Sequence, residues 1–297
     1  MIIDGHCDTL SVGLDSKKNL DRLELQFSIN KVIEPTIQMM AIFISPEEYV
    51  EEGTQKAWNR TQNIINYFLE QKEIFKNDMI QIFYNNNLNN VKIKNKIGIV
   101  LTIENGSAIC GDLSKIKVLY DMGVRVMSVT WNMDNDLGCG AETNNDTGIT
   151  ELGKKYIKEL IKNNIIIDIS HASKKTFWDV VDCCNGTNAK LVATHSCVNS
   201  LCEHKRNLDD SQIKQIAKMN GIIGICYYTK FLTSQGQATI EDIINNISYI
   251  KNLVGIDYVG LGSDFDGVSE NELSEEIRGI QDVYKLRKKM KIEGFTT

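Results

Sequence analysis

Histidine is scarce in this chain, four in 297 residues, and proline scarcer still, with Pro35 and Pro46 alone. So little proline, and no linker-like or low-complexity stretch, argue for one domain spanning residues 1–297. No apolar run reaches the 18 or so residues that a membrane-spanning helix requires. Met1 leads straight into an apolar segment, without the charged leader of a secretion signal, so a cytoplasmic location is expected. The eight cysteines (Cys7, Cys110, Cys139, Cys183, Cys184, Cys197, Cys202, Cys226) include no CxxC pair and are expected to be reduced, partly buried thiols. The adjacent Cys183 and Cys184 read as helix-packing residues. Basic charge is in deficit too: a net charge of −6 argues against nucleic acid, whose phosphates need a clustered basic surface.

What is present is an alternation of short apolar runs with helix-like stretches. Strands are expected at Ile2–Asp4, Met39–Ile44, Ile97–Ile103, Val124–Thr130, Ile165–Ile169, Leu191–Thr194, Ile222–Cys226 and Tyr258–Leu261. Continuous apolar runs of this length are typical of parallel strands covered on both faces. Helices are expected at Glu51–Lys76, Leu113–Met122, Thr150–Asn163, Lys174–Cys183, Asp209–Met219 and Thr239–Leu253, with a last one near Ile280–Met290. Asp112, Thr150 and the Asp209-Asp210 pair supply start signals. Eight strands with interposed helices, on a chain of this length, give a single closed (β/α)₈ barrel. Asp15–Glu34 and Met133–Gly148 are expected as loops, the second following a strand and lying over a barrel mouth. The Asn85–Asn87 tract reads as surface loop.

Three of the four histidines fall where apolar runs end: His6 in IDGHCD, His171 in IIIDISHAS and His195 in KLVATHS. Glu104 holds a matching place in IGIVLTIENG. His6 and Asp8, two apart, share a face of an extended backbone and can reach one ion. Imidazole nitrogen and carboxylate oxygen suit zinc, and also tolerate manganese or cobalt. Five ligands from His6, Asp8, Glu104, His171 and His195 exceed one tetrahedral ion and fit two, bridged by Glu104. Two such metals, about 3.5–4 Å apart, ionise a shared water and polarise a carbonyl. Any one of these residues alone is as readily a hydrogen-bonding loop residue; together, ending separate strands, they are hard to explain as packing. The fourth histidine, His204 in CEHKRN, is expected to be solvated. In GLGSDFDGV, Asp264 follows the last strand and is placed to act as general acid/base, whereas Asp266-Gly267 reads as a turn.

Taken in order, DGHCDTL, IENG, SHAS, THS, KRN at Lys205–Asn207 and GSDFDG resemble the renal (membrane) dipeptidase family of zinc metallopeptidases. The match runs from Asp4 to Gly267. The resemblance implies a (β/α)₈ barrel with two Zn²⁺ ions per chain, hydrolysing dipeptides that include those with a C-terminal D-residue. It makes His6 and Asp8 ligands of one zinc and His171 and His195 ligands of the other, with Glu104 bridging and Asp264 as acid/base. Arg206, which by its EHKR setting reads as part of a solvated charge run, becomes the group that pairs with the substrate's terminal carboxylate. One departure stands out: family members place a substrate-polarising histidine after the fourth strand, where this chain has Trp131, followed by Asn132. Trp131 is therefore expected to face the substrate. Relatives are commonly dimers, so a homodimer is implied. They also continue past the equivalent of GFTT into a final helix, which makes Thr297 a candidate truncation point. The remaining alternatives are another barrel metallohydrolase, such as a deaminase or an esterase- or lactamase-like enzyme, and a non-catalytic relative.

Overall fold

The computed structural model describes residues 1–49, 55–83, 91 and 96–295. The chain opens with β1 (Ile2–Asp4), α1 (Thr9–Ser16), β2 (Thr36–Phe43), α2 (Pro46–Tyr49), α3 (Lys56–Ile74), β3 (Met79–Gln81) and β4 (Ile97–Glu104). It continues through α4 (Ser114–Asp121), β5 (Val124–Ser128), α5 (Glu151–Lys162), β6 (Ile166–Asp168), α6 (Lys174–Cys184) and β7 (Leu191–Ser196). The last elements are α7 (Asp210–Lys218), β8 (Ile223–Ile225), α8 (Thr229–Leu232), α9 (Ile240–Val254), β9 (Val259–Leu261) and α10 (Val283–Ile292).

The sheet runs β2-β1-β9-β8-β7-β6-β5-β4, and β4 then pairs with β2 to close it, so eight parallel strands form the expected barrel. Burial explains the composition of the strands. Every residue of β4, IGIVLTIE, is buried, as required of a strand with packed side chains inside the barrel and helices outside. Helices carry one apolar face: α5 buries Tyr156, Ile157 and Leu160, and its Thr150 Oγ1 accepts from Gly153 N–H at 3.0 Å as an N-cap. Asp209 caps α7 with a full capping box to Gln212.

All eight expected strands are present, with ends shifted by a few residues. Four elements were not expected: β3, α1 and the four-residue helices α2 and α8. The ninth strand, β3, pairs with β4 at Ile97–Ile99, and β5 takes over that edge from Leu101 onward. The barrel wall is thus shared end to end by two short strands, a division no sequence period reveals. Helix α1 extends over Asp15 and Ser16, and a 3₁₀ turn at Ile29–Lys31 lies within the expected loop. Helix α1 is an eight-residue segment with a central glycine, too short for periodicity to show. The Met133–Gly148 segment is without helix, held against the β6 exit by Ala141 N–H to His171 O at 2.9 Å and Ser173 N–H to Cys139 O at 3.0 Å. The start of the helix expected from Glu51, the Asn85–Asn87 tract and Thr297 lie outside the described residues. Among the described residues no helix is long and apolar enough to cross a membrane.

Candidate metal centre and substrate cavity

The cluster gathers at the C-terminal ends of the barrel strands, the end at which barrels of this type do chemistry. Glu104 is the last residue of β4, His195 lies within β7, and His6, His171 and Asp264 come two or three residues after β1, β6 and β9. Chain exits are held in place locally. Asn105, with φ of 80°, donates through Nδ2 to Ile44 O at 2.9 Å and accepts from Ser107 N–H at 3.2 Å, turning the chain away just after Glu104. Strand β7 is drawn toward the other strand ends, because glycines from three of them leave room for it. A Cβ on Gly5, Gly224 or Gly262 would stand 2.7, 2.1 or 2.0 Å from the Thr194 carbonyl oxygen. That close approach is what brings His195 beside His6, ring centroids 3.8 Å apart.

Glu104 divides its two oxygens between two groups of candidate ligands. Its Oε2 lies 3.4 Å from His6 Nε2, which is itself 3.3 Å from Asp8 Oδ2. Its Oε1 lies 2.8 Å from His171 Nε2 and 3.8 Å from His195 Nε2. The two histidine Nε2 atoms are 2.8 Å apart. His6 and Asp8 converge as expected, although not along an extended strand: Asp8 has φ −102° and ψ 13° and opens α1. Asp264 Oδ1 stands 3.8 Å from His6 Nε2, and Asp264 has φ of 65°, a left-handed backbone that is costly for a non-glycine residue and is often kept at functional sites.

These donors fit a pair of divalent cations. Three overlapping groups, His6/Asp8/Glu104, Glu104/His171/His195 and His6/His195/Asp264, each bring their ligand atoms within 4.8 Å of one another. Asp8 Oδ1 is buried without a hydrogen-bond partner, a cost that a cation would remove. Burial holds His171 and His195 well below the ordinary imidazole range, so both are neutral and able to ligate. Burial, reinforced by the charge of Asp8, pushes Glu104 up to about 8, and burial pushes Asp264 up to about 6. For His6 burial works downward, but Glu104 and Asp8 outweigh it and raise the group well above its usual range. A cluster that must take up protons in order to fold without a cation is a cluster suited to holding one.

Asp8, Glu104, His171, His195 and Asp264 line a cavity of about 580 Å³, shared with Arg206, Trp131, Asn132, Phe43, Tyr228 and Phe231. Arg206 is 3% exposed, not part of a solvated run. Its Nη2 donates to His195 O at 3.2 Å and its guanidinium lies 5.3 Å from the Phe231 ring centre, while Nε and Nη1 are buried without partners. Trp131 packs 5.5 Å from Phe43 and 6.1 Å from His171, ring to ring, and forms a wall of the cavity. A second reading is corrected and a third, the turn at Asp266-Gly267, is extended. His204 is half-buried rather than solvated: its Nδ1 accepts from Arg206 N–H at 3.1 Å and its ring lies 4.7 Å from Phe231, because the charged loop folds back on itself. Asp266 is more than a turn residue. It accepts from Thr9 Oγ1 at 2.6 Å, Gln26 N–H at 2.8 Å and Phe27 N–H at 3.2 Å, tying the β9 exit to α1 and the following loop. The eight cysteines are all unpaired, and six are buried.

A sequence model of the membrane dipeptidase family (peptidase family M19) matches residues 1–293. An uncharacterised protein encoded in the pqqA 5′ region of Klebsiella pneumoniae is 30% identical over 209 residues, 67% of this chain and 75% of its own. An uncharacterised dipeptidase of Schizosaccharomyces pombe is 31% identical over 214 residues, 70% of this chain and 48% of its own. Among solved structures, a metallopeptidase of Rhodobacter sphaeroides, liganded with a phosphinate mimic of L-Ala-D-Ala, superposes with a TM-score of 0.88 at 21% identity, covering 100% of this chain and 93% of that one. The M19 metallopeptidase dipeptidase AC superposes with a TM-score of 0.90 at 21% identity, covering 99% and 92%. At these identities the structural likenesses establish a shared fold.

Proposed function

The chain belongs to the membrane dipeptidase family, peptidase family M19, and on that premise we propose that it hydrolyses dipeptides, including those with a D-residue at the C-terminal position. One observation carries this reading. A single cavity contains a ligand cluster split across the two oxygens of Glu104, a carboxyl group beside it, and a buried guanidinium with two unused donor nitrogens. Such a guanidinium calls for a small anion in bidentate contact, and a dipeptide's terminal carboxylate is one. The Rhodobacter relative holding an L-Ala-D-Ala mimic supports the extension to a C-terminal D-residue.

In this reading His6 and Asp8 would hold one ion and His171 and His195 the other, with Glu104 shared between the two ligand sets. Zinc is the expected metal, because neutral imidazoles with carboxylates are its usual ligands outside thiolate sites. When bound, two divalent ions supply an ionised water at neutral pH and polarise the scissile carbonyl. The protein's own groups do the rest. Arg206 fixes the terminal carboxylate and so places the peptide bond over the cluster. Asp264, raised to about 6 by burial, accepts the proton of the attacking water and returns it to the leaving amine. Trp131 and Phe43 wall the substrate in. The free cysteines support a reducing, cytoplasmic setting, and the expected assembly is a homodimer, as the resemblance implies.

Substitution Asp264→Asn tests the assignment. It is expected to leave metal content unchanged while kcat falls by about 10²–10⁴, the usual worth of a general acid/base. Undiminished turnover in a fully metallated variant would remove Asp264 from the mechanism.

A further inference from the structure

Imidazole can present either nitrogen to a metal, and which one it presents is decided by what its other nitrogen bonds. Behind His171 and His195 lie two unrelated devices that make that decision. His171 Nδ1 lies 2.8 Å from Asn132 Oδ1. A carbonyl oxygen only accepts, so Nδ1 carries the proton and Nε2 keeps its lone pair for the cluster. Asn132 is itself anchored, its backbone oxygen accepting from Glu142 N–H at 2.8 Å.

His195 is held less directly. Its Nδ1 lies 3.0 Å from Thr194 Oγ1, and that hydroxyl lies 2.6 Å from Asp168 Oδ2. Asp168, buried at the end of β6, accepts also from Thr194 N–H at 3.0 Å, Ser170 N–H at 3.1 Å and Ser170 Oγ at 2.7 Å. With Ser170's proton also committed to Asp168, the one proton of Thr194 goes to Asp168, and its oxygen is left to accept from His195. The Nδ1 of His195 is therefore protonated too, and its Nε2 faces Glu104.

We propose that Asn132 and the Thr194–Asp168 pair are positioning residues that lock His171 and His195 with Nε2 toward the metal. The inference rests on the ligand reading above and adds to it the parts that set ligand orientation. It also assigns a use to Asp168, a buried carboxyl that hydrolysis itself does not require. Removing such a partner weakens metal binding by about 10–100-fold.

The test is zinc binding by the full metal-free chain, measured by competition with a chromogenic chelator, with a thermal melt of each metal-free variant as the folding control. Asn132→Leu and Thr194→Val are expected to weaken one of the two zinc equivalents by about 10–100-fold. Asn132→Asp and Thr194→Ser, which keep an acceptor for Nδ1–H, are expected to restore wild-type binding. Asn132 is only half-buried, so its variants report even if Thr194→Val does not fold. Folded Asn132→Leu that binds both equivalents as tightly as wild type would overturn the proposal. If wild type itself binds no zinc, it is the ligand reading that fails.

Discussion

In the proposed role Arg206 trades stability for binding, and replacing it separates the two. The guanidinium is 3% exposed, has one hydrogen bond to the His195 carbonyl, and leaves Nε and Nη1 buried and unpaired. Burial depresses its basicity below the usual arginine range, the sign of a charge held at a cost. With substrate bound, two charge-assisted hydrogen bonds to a carboxylate are each worth about 1.5–3 kcal/mol. Arg206→Met removes both, a loss of about 3–6 kcal/mol, or roughly 10²–10⁴ in kcat/KM at about 1.4 kcal/mol per decade. Because the contact is made in ground state and transition state alike, most of the loss is expected in KM. The metal-free fold should gain instead. Relieving an unsatisfied buried group returns about 1–3 kcal/mol, and at about 2 °C per kcal/mol for a chain of this size the melting temperature should rise by roughly 2–6 °C. Steady-state kinetics on a dipeptide and on its C-terminal amide, alongside a thermal melt, read both effects. The amide is expected to be a poor substrate for wild type and no poorer for the variant. A variant that loses equally on both substrates, or melts lower than wild type, would refute the reasoning.

Metal affinity should depend on pH with a definite sign. Burial and Asp8 hold the Glu104 proton up to about pH 8, so protons compete with the ion, and apparent affinity should rise about tenfold per unit up to that point for one displaced proton. A carboxyl raised in the fold stabilises it below the ordinary carboxyl range and loses that contribution as pH rises to about 8; His6, also raised, acts in the same direction. The chelated chain should therefore melt lower at about pH 8.5 than at about pH 7, and added metal should raise its melting temperature more at the higher pH; equal shifts at both would contradict this. Gly262→Ala puts a Cβ 2.0 Å from the Thr194 backbone oxygen, so overpacking should cost about 1–3 kcal/mol or more and weaken zinc binding through His195, seen in a melt and a metal titration. Asp266→Ala leaves three donors from Thr9, Gln26 and Phe27 without their acceptor and should cost about 2–4 kcal/mol in urea unfolding.

The sequence makes the barrel legible because parallel strands covered on both faces read as short apolar runs, most completely in β4, where every residue is buried. It makes the candidate ligands legible because a barrel delivers them where those runs stop, as at Glu104, His171 and His195. What escapes it has physical reasons. Three-residue β3 and eight-residue α1 are too short for a period to register. Asp168 ends a strand just as Glu104 does, yet which acid faces the cavity and which faces Thr194 depends on neighbouring strands. Arg206 and His204 lie in a charged stretch that looks solvated until the loop is seen folded over Phe231. Gly5, Gly224 and Gly262 carry a signal visible only in retrospect, since nothing in their local sequence tells that one carbonyl passes close to all three.

The central claim, a metal-dependent dipeptidase, is tested most directly by amino-acid release from a panel of L-L and L-D dipeptides. The zinc-loaded chain should be assayed with and without chelator, metal content being measured on the same samples. Release that is lost on chelation and restored by zinc, from L-L dipeptides and from those with a C-terminal D-residue, is the predicted result. A chain carrying two zinc equivalents that releases nothing from any member of the panel would contradict it.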